Sequence, residues 1–206
     1  MSTLKTTNIK HASSGSNNIV LDSSGNTTVS GNLTVTGTAE NKVVGSYNAT
    51  AVSVGTAATY TFAAGISADA KIVYLTWDDL STSAASWIRL RVGTSSAFVT
   101  SGYMGQHGYA AGGSGSMQGQ QRTTDIPIPH TSFSSAANVH SGMLTLTKHT
   151  GNKWIYQGVS CVNGENYFGG FYGSVDVGGD FNRFEFHLED ASAVFDAGTV
   201  NCRWLT

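Results

Sequence analysis

Charge is scarce in this chain. Of 206 residues only 12% are Asp, Glu, Lys or Arg, 13 acidic against 11 basic, and no basic stripe breaks the balance. That removes the electrostatic footprint of a nucleic-acid partner. No stretch of 18 apolar residues occurs, so no transmembrane helix is expected, nor membrane insertion. Proline occurs twice and cysteine twice. Cys161 and Cys202 leave two readings open, a disulfide or two buried reduced thiols. Aromatic residues are missing before Tyr47. The opening MSTLKTTNIKHASS lacks the apolar core of a secretory signal. The expectation is a product made in a cytoplasm that stays there or leaves it inside an assembled particle.

What is abundant is glycine (25 residues), serine, threonine and β-forming side chains, without long windows of helical period. The expected class is all-β. KVVGSYNATAVSV (42–54) and ATYTFAA (58–64) read as strands separated at Gly55-Thr56, followed by KIVYLTWDDL (71–80) and SWIRLRVG (86–93). In the latter Ile88, Leu90 and Val92 share one face, and Trp87, Arg89 and Arg91 the other. The arginines fit a solvated face, a salt-bridge ladder or a subunit contact. Ile126-Pro127-Ile128-Pro129 is extended, because proline fixes φ and restrains its neighbour. GMLTLTKH (142–149) and KWIYQGVSCV (153–162) form a hairpin across Thr150-Gly151-Asn152. NYFGGFYGSVDV (166–177), NRFEFHLED (182–190) and AGTVNCRWL (197–205) complete about eight strands, spaced as in a β-sandwich. Phe184, Phe186 and Leu188 should point inward, and Arg183, Glu185, His187 and Glu189 outward.

The first forty residues read differently. Between 15 and 38 single aliphatics (Val20, Leu21, Val29, Leu33, Val35) stand among Ser, Thr, Asn and Gly, with turn-like Gly25-Asn26 and Gly31-Asn32. So thin a pattern cannot make a core from one copy. Residues 1–40 are therefore expected to be an oligomerising or docking arm, joined through Ala39–Lys42 to a body, 41–206. Residues 101–123, rich in Gly, Ser and Gln, show no strand pattern and read as a long loop, either a contact loop or a flexible insertion. Tyr103, His107 and Tyr109 are the expected surface contacts there.

Motifs of chemistry are missing. None of the six histidines (11, 107, 130, 140, 149, 187) stands in an HxH, HExxH or CxxC setting, so no metal is expected. Asp78-Asp79, at an expected strand end, is a weak candidate for calcium. No GxSxG elbow and no phosphate loop occurs, and Glu165, Asp176, Asp180 and Glu185 give no recognisable acid–base pair. The expectation is a non-enzyme without cofactors. Asn26, Asn32 and Asn48 lie in glycosylation sequons but read as turn residues. Trp87, Tyr103, Tyr109, Trp154, Tyr156, Tyr167, Phe168, Phe171 and Tyr172 are numerous for so little charge. Most should fill the core or an interface, while exposed ones would suit a sugar site.

NNIVLDSSGNTTVSGNLTVTGT resembles the N-terminal segments of bacteriophage virion proteins, especially fibre-like proteins of marine and cyanobacterial phages. The matching residues are Leu21-Asp22, Gly25-Asn26, Thr28-Val29, Gly31 to Val35 and Gly37-Thr38. Arg91-Val92-Gly93, Thr100 to Tyr103 and Phe195 to Asn201 are similar to motifs of that family's jelly-roll-like C-terminal domain. The resemblance implies a homotrimeric virion structural protein with no catalytic residues to transfer. Its expected partners are other tail or capsid proteins and a host surface glycan. The arm is short for a tail fibre, which keeps a capsid decoration or head-fibre role beside the short fibre or adhesin. A carbohydrate-binding module is the other alternative, and would be expected to carry an export signal.

Overall fold

The computed structural model describes residues 8–9, 13, 15–16, 19–21, 23–24, 27–29, 45–47, 52–54, 56–62, 65–111, 117–128, 136–163 and 167–206. Among them there is no helix, and the protein is all-β. The chain divides into two compact units, 1–42 and 43–206. Leu33, Val35, the two Gly-Asn pairs and Ala39–Lys42 lie outside the described residues.

In the first unit, β1 (Asn8–Ile9), β2 (Ile19–Leu21) and β3 (Thr27–Val29) make an antiparallel sheet in that order. Ile9 lies opposite Ile19, and Ile19 opposite Val29, so each strand gives one aliphatic to a single row. Such cross-strand pairs are the unit of sheet stabilisation. Val20 faces Asn8 and Thr28 in the neighbouring row, and alternation turns it to the opposite side from Val29. Val29 shares its row with Ile9 and Ile19.

The second unit is a sandwich-like pair of sheets. The larger has the order β10-β9-β14-β13-β12-β7-β16-β4, with β5 also paired to β16. Its strands are β4 (Gly45–Tyr47), β5 (Val52–Ser53), β7 (Ile72–Thr82), β9 (Met104–Ala111), β10 (Met117–Arg122), β12 (His140–Thr150), β13 (Lys153–Val162), β14 (Tyr167–Asp176) and β16 (Phe195–Leu205). The smaller has the order β11-β8-β15-β6, from β6 (Thr59–Phe62), β8 (Ile88–Gly93), β11 (Ile126–Pro127) and β15 (Arg183–Leu188). The carboxy-terminal strand β16 is held between β7 and β4.

Alternation builds the core. Val73, Leu75 and Trp77 of β7, Leu144 and Leu146 of β12, and Trp154 and Tyr156 of β13 are buried on one side of the large sheet. Ile88, Leu90, Val92, Phe184, Phe186 and Leu188 are buried on the facing side of the small one. Trp77 joins the layers, edge-on to Phe186 (centroids 6.1 Å apart) and stacked with Phe171 at 6.4 Å. A second aromatic contact runs from Trp154 through Phe181 to Phe184.

Two expectations are corrected. Asp78-Asp79 does not end a strand: it is a bulge inside β7, where the register shifts against both β12 and β16 and Asp79 takes φ 53°. The extra residue restores the inward phase, so Leu80 and Thr82 are buried again. Gly198, at φ 120°, packs so close to this bulge that a Cβ would lie 2.7 Å from the Leu80 Cα. The expected loop over 101–123 is corrected in its described part: 104–111 and 117–122 are strands, and 112–116 lie outside the described residues. The strands are β9 and β10, paired from Met117 opposite Ala110 to Arg122 opposite Gly105. These two strands, together with the short β11 and the division of 42–54 into β4 and β5, bring the body to thirteen strands among the described residues, where about eight are expected.

Candidate functional site

Each strand of the large sheet has a second face, away from the core. On β14 Tyr167, Phe171 and Val175 point inward, and alternation turns Phe168, Gly170 and Tyr172 outward. Phe168 is 64% and Tyr172 61% exposed, with Met104, Met143, Ile155 and Val159 also open on the same face. No Asp, Glu, Lys or Arg interrupts it from Met104–Ala110 of β9 through Phe168–Ser174 of β14 to Ile155–Cys161 of β13. An uncharged patch with large exposed apolar groups is the mark of a contact surface.

Register gives this face its relief. Gly119 lies opposite Gly108, and Gly108 opposite Gly170, so three adjacent strands contribute glycines to one row. The row continues to Val159 on β13 and Met143 on β12. The rows beside it carry Gln121, Gln106, Tyr172 and Gln157 on one side, and Ala110, Phe168 and Cys161 on the other. The result is a trench of about 610 Å3 lined by Gln106, Gly108, Gly119, Gln157, Phe168, Gly170 and Tyr172. Its size falls among small-molecule sites, about 300–1,000 Å3. Phe168 and Tyr172 stand four residues apart on β14, about 13 Å at ~3.3 Å per residue. The Tyr172 hydroxyl donates to Gln106 Oε1 at 3.0 Å, which fixes that wall of the trench. Beyond it, Met143, Val159, Cys161 and Phe168 line a second, more apolar depression.

A second group of chemically capable residues lies on the inner side, around the turn from β10 to β11. Arg122 grips Asp125 bidentately (Nε to Oδ1 2.9 Å, Nη2 to Oδ2 2.8 Å), and Thr124 donates to Oδ2 at 2.9 Å. Burial would raise the Asp125 pKa, but the hydrogen bonds and charge of Arg122 hold it below the usual carboxylate range. Arg89 binds Glu189 at 2.5 Å and Arg91 binds Glu185 at 3.2 Å, which makes the salt-bridge ladder. Arg89 is buried rather than solvated, and stacks over the Trp87 ring. His107 and His187 are both pushed down to about 4, first by burial and then by neighbouring arginines. Arg89, His107 and Asp125 are all buried, so the cluster joins strands rather than meeting a ligand.

The expected contacts sort against this frame. Tyr103 is fully buried: its hydroxyl accepts from Val92 N (3.0 Å) and donates to Val99 O (3.1 Å). His107 is buried and Tyr109 half-buried against Tyr167, with ring centroids 5.6 Å apart. The surface role expected of Tyr103 and His107 is thus corrected: His107 points inward from β9, and Tyr103, just before that strand, is buried by its bonds to Val92 and Val99. The exposed aromatics nearby are Phe168 and Tyr172. Their signal is present in Tyr167-Phe168-Gly169-Gly170-Phe171-Tyr172, where adjacent aromatics must send one ring to each face. Asp78 and Asp79 are held by Ser141 (2.6 Å) and Asn163 (3.0 Å), and no cluster of three metal-ligating side chains occurs among the described residues. Cys161 is exposed and Cys202 buried, both free, so the buried-thiol reading holds for Cys202 alone.

No protein-family model and no curated protein sequence matches this chain.

Proposed function

We propose that this protein is a non-enzymatic attachment component of a virus particle, a homotrimer whose amino-terminal unit docks it and whose body meets a host surface. The observation that carries the attachment half is the open face of the large sheet. It is uncharged across three strands, bears Phe168 and Tyr172 more than 60% exposed, and is hollowed by a glycine row. A soluble protein that shows such a face loses favourable burial unless something covers it. The virion half rests on the resemblance of residues 17–38 and of the body motifs to phage virion proteins.

The experiment is a pair of particle variants. The full 21.5 kDa chain should have the mass of three copies, and removing residues 1–42 should leave a folded body with the mass of one truncated chain that no longer joins particles. Replacing Val159→Glu puts a charge in the centre of the open face, at a side chain 54% exposed and therefore harmless to the core. Particles carrying it should assemble normally and adsorb to cells about tenfold more slowly or worse, the loss expected for a charge set into an apolar contact. Normal adsorption would move the protein to a capsid decoration role.

A further inference from the structure

The glycines of the large sheet fall into two kinds. Gly105, Gly142, Gly158 and Gly173 face the core, and each is required by packing. A Cβ on Gly158 would lie 2.3 Å from the Phe171 ring, one on Gly142 2.5 Å from Trp77, and one on Gly105 or Gly173 within 2.6 Å of the Tyr156 hydroxyl. Gly170 differs. Its φ is not in the left-handed region, and the nearest atom to an added Cβ is Gly158 O at 3.8 Å. Neither backbone conformation nor the fold demands glycine there. A strand interior is weakened by glycine, in conformational entropy and in lost side-chain packing. Two more glycines, Gly108 and Gly119, extend the same row across the neighbouring strands. What a bare row does provide is close approach of an outside molecule to the sheet backbone.

We infer that this trench, floored by Gly119, Gly108 and Gly170 and walled by Phe168 and Tyr172, binds a short neutral oligosaccharide. The chemistry of the lining selects this class. Two exposed rings offer flat apolar faces to the C–H side of pyranose rings. Gln157 offers an amide donor and acceptor side by side, and Gln106, whose Oε1 already accepts from Tyr172, offers its amide donor, which suits neighbouring hydroxyls. Among the described residues no Lys or Arg lines the trench to pair with a sulfate, phosphate or carboxylate, so anionic sugars gain nothing there. A second copy of the chain is the poorer occupant, because a flat sheet laid across Phe168 and Tyr172 would leave the hollow between them unfilled. β10 is the edge strand of the sheet and Val159 stands at the inner end of the glycine row, so the trench runs inward from the edge. This inference rests on the attachment reading for its setting and names the ligand class of the same face.

The test is titration of the full-length chain, by calorimetry, with neutral hexose and N-acetylhexosamine oligosaccharides and their sulfated counterparts. Neutral members should bind. Tyr172→Ala and Phe168→Ala should each weaken binding about five- to tenfold, the loss of one stacked ring. Gly170→Leu should abolish it by filling the trench. All three should keep the parent's thermal midpoint, because the altered side chains are exposed or enter open space. Binding confined to sulfated sugars, or unchanged in Gly170→Leu, would overturn the inference. So would Phe168→Ala splitting the oligomer with sugar binding intact, which would make the face a subunit interface. A parallel arm retains the chain on host envelope treated with periodate or protease. Retention lost only to protease would mean a protein receptor, which sinks the sugar and leaves attachment standing. Absence of both sugar binding and envelope retention, with normal adsorption of Val159→Glu particles, would sink both.

Discussion

Single positions in this protein are decided by which face of a sheet they occupy. Tyr103 and Tyr172 are both tyrosines in a segment pair rich in glycine, yet one ties Val92 to Val99 inside the body and the other stands 61% exposed. Glycine shows the same split most sharply. At Gly158 an added methyl meets the Phe171 ring and Met143 O within 2.5 Å, and Phe171 is itself stacked on Trp77. Gly158→Ala should therefore lower stability by about 1–3 kcal/mol, the usual cost of overpacking a core. Gly170→Ala, one strand away, should be neutral or slightly stabilising, since it removes backbone freedom from the unfolded chain without strain in the folded one. Urea denaturation of the two variants against the parent checks the pair. Equal losses at both positions would mean that Gly170 is also held by the fold, and would remove the reason for assigning the trench to a ligand.

At the scale of the element, the β9–β10 hairpin decides how much could be read in advance. The strands with large alternating side chains were legible: Phe184, Phe186 and Leu188 are buried as their spacing requires, and the β12–β13 hairpin turns at Gly151 with φ 53°. β9 and β10 were not legible, because Met104–Ala111 and Met117–Arg122 carry glycine or glutamine at half their positions. Their pairing is specified by neighbours far along the chain, as Gly108 opposite Gly170 shows. Period-two hydrophobicity is blind to a strand whose faces are bare. The candidate site lay in the same blind spot: its aromatics were visible in the sequence, but its floor needed three strands in register. What holds the hairpin to the small sheet is the Arg122–Asp125 pair at the start of β11, with Asp125 buried. Arg122→Ala leaves that buried carboxylate with the Thr124 hydrogen bond and the charge of Arg89 but no ion-pair partner, and should cost about 3–5 kcal/mol. The double variant Arg122→Ala/Asp125→Ala should recover part of the loss, because the unpaired buried charge is then gone. Chemical denaturation of both checks this, and a double variant no more stable than the single would assign the cost to lost packing of the arginine stem.

Across the body, neutral histidines sit on both layers. His107 lies on the inner side of the large sheet and His187 on the small sheet, with Arg89, Arg91, Arg122 and Asp125 as the charged groups acting on them. Each has its pKa pushed from 6.5 to about 4, chiefly by burial, with the arginines adding to the effect. The unfolded chain therefore takes up protons on these imidazoles at a pH where the folded body refuses them, so stability must fall as the pH drops. The fall begins near pH 6.5 and flattens below about 4, where both states are protonated. The two histidines titrate in the same window, so their losses have one sign and add. Asp125, whose pKa is lowered in the fold, adds a loss of the same sign at the acid end. A body whose two layers are both sensitive to one proton activity should lose its sandwich in a single acid transition rather than shed one sheet first. Thermal midpoints measured from pH 8 to pH 4 should hold steady above about 7 and then fall steeply. His107→Gln with His187→Gln should flatten that fall, because neither amide titrates. A parent midpoint independent of pH down to 4.5, or a fall as steep in the double variant, would place the acid lability elsewhere.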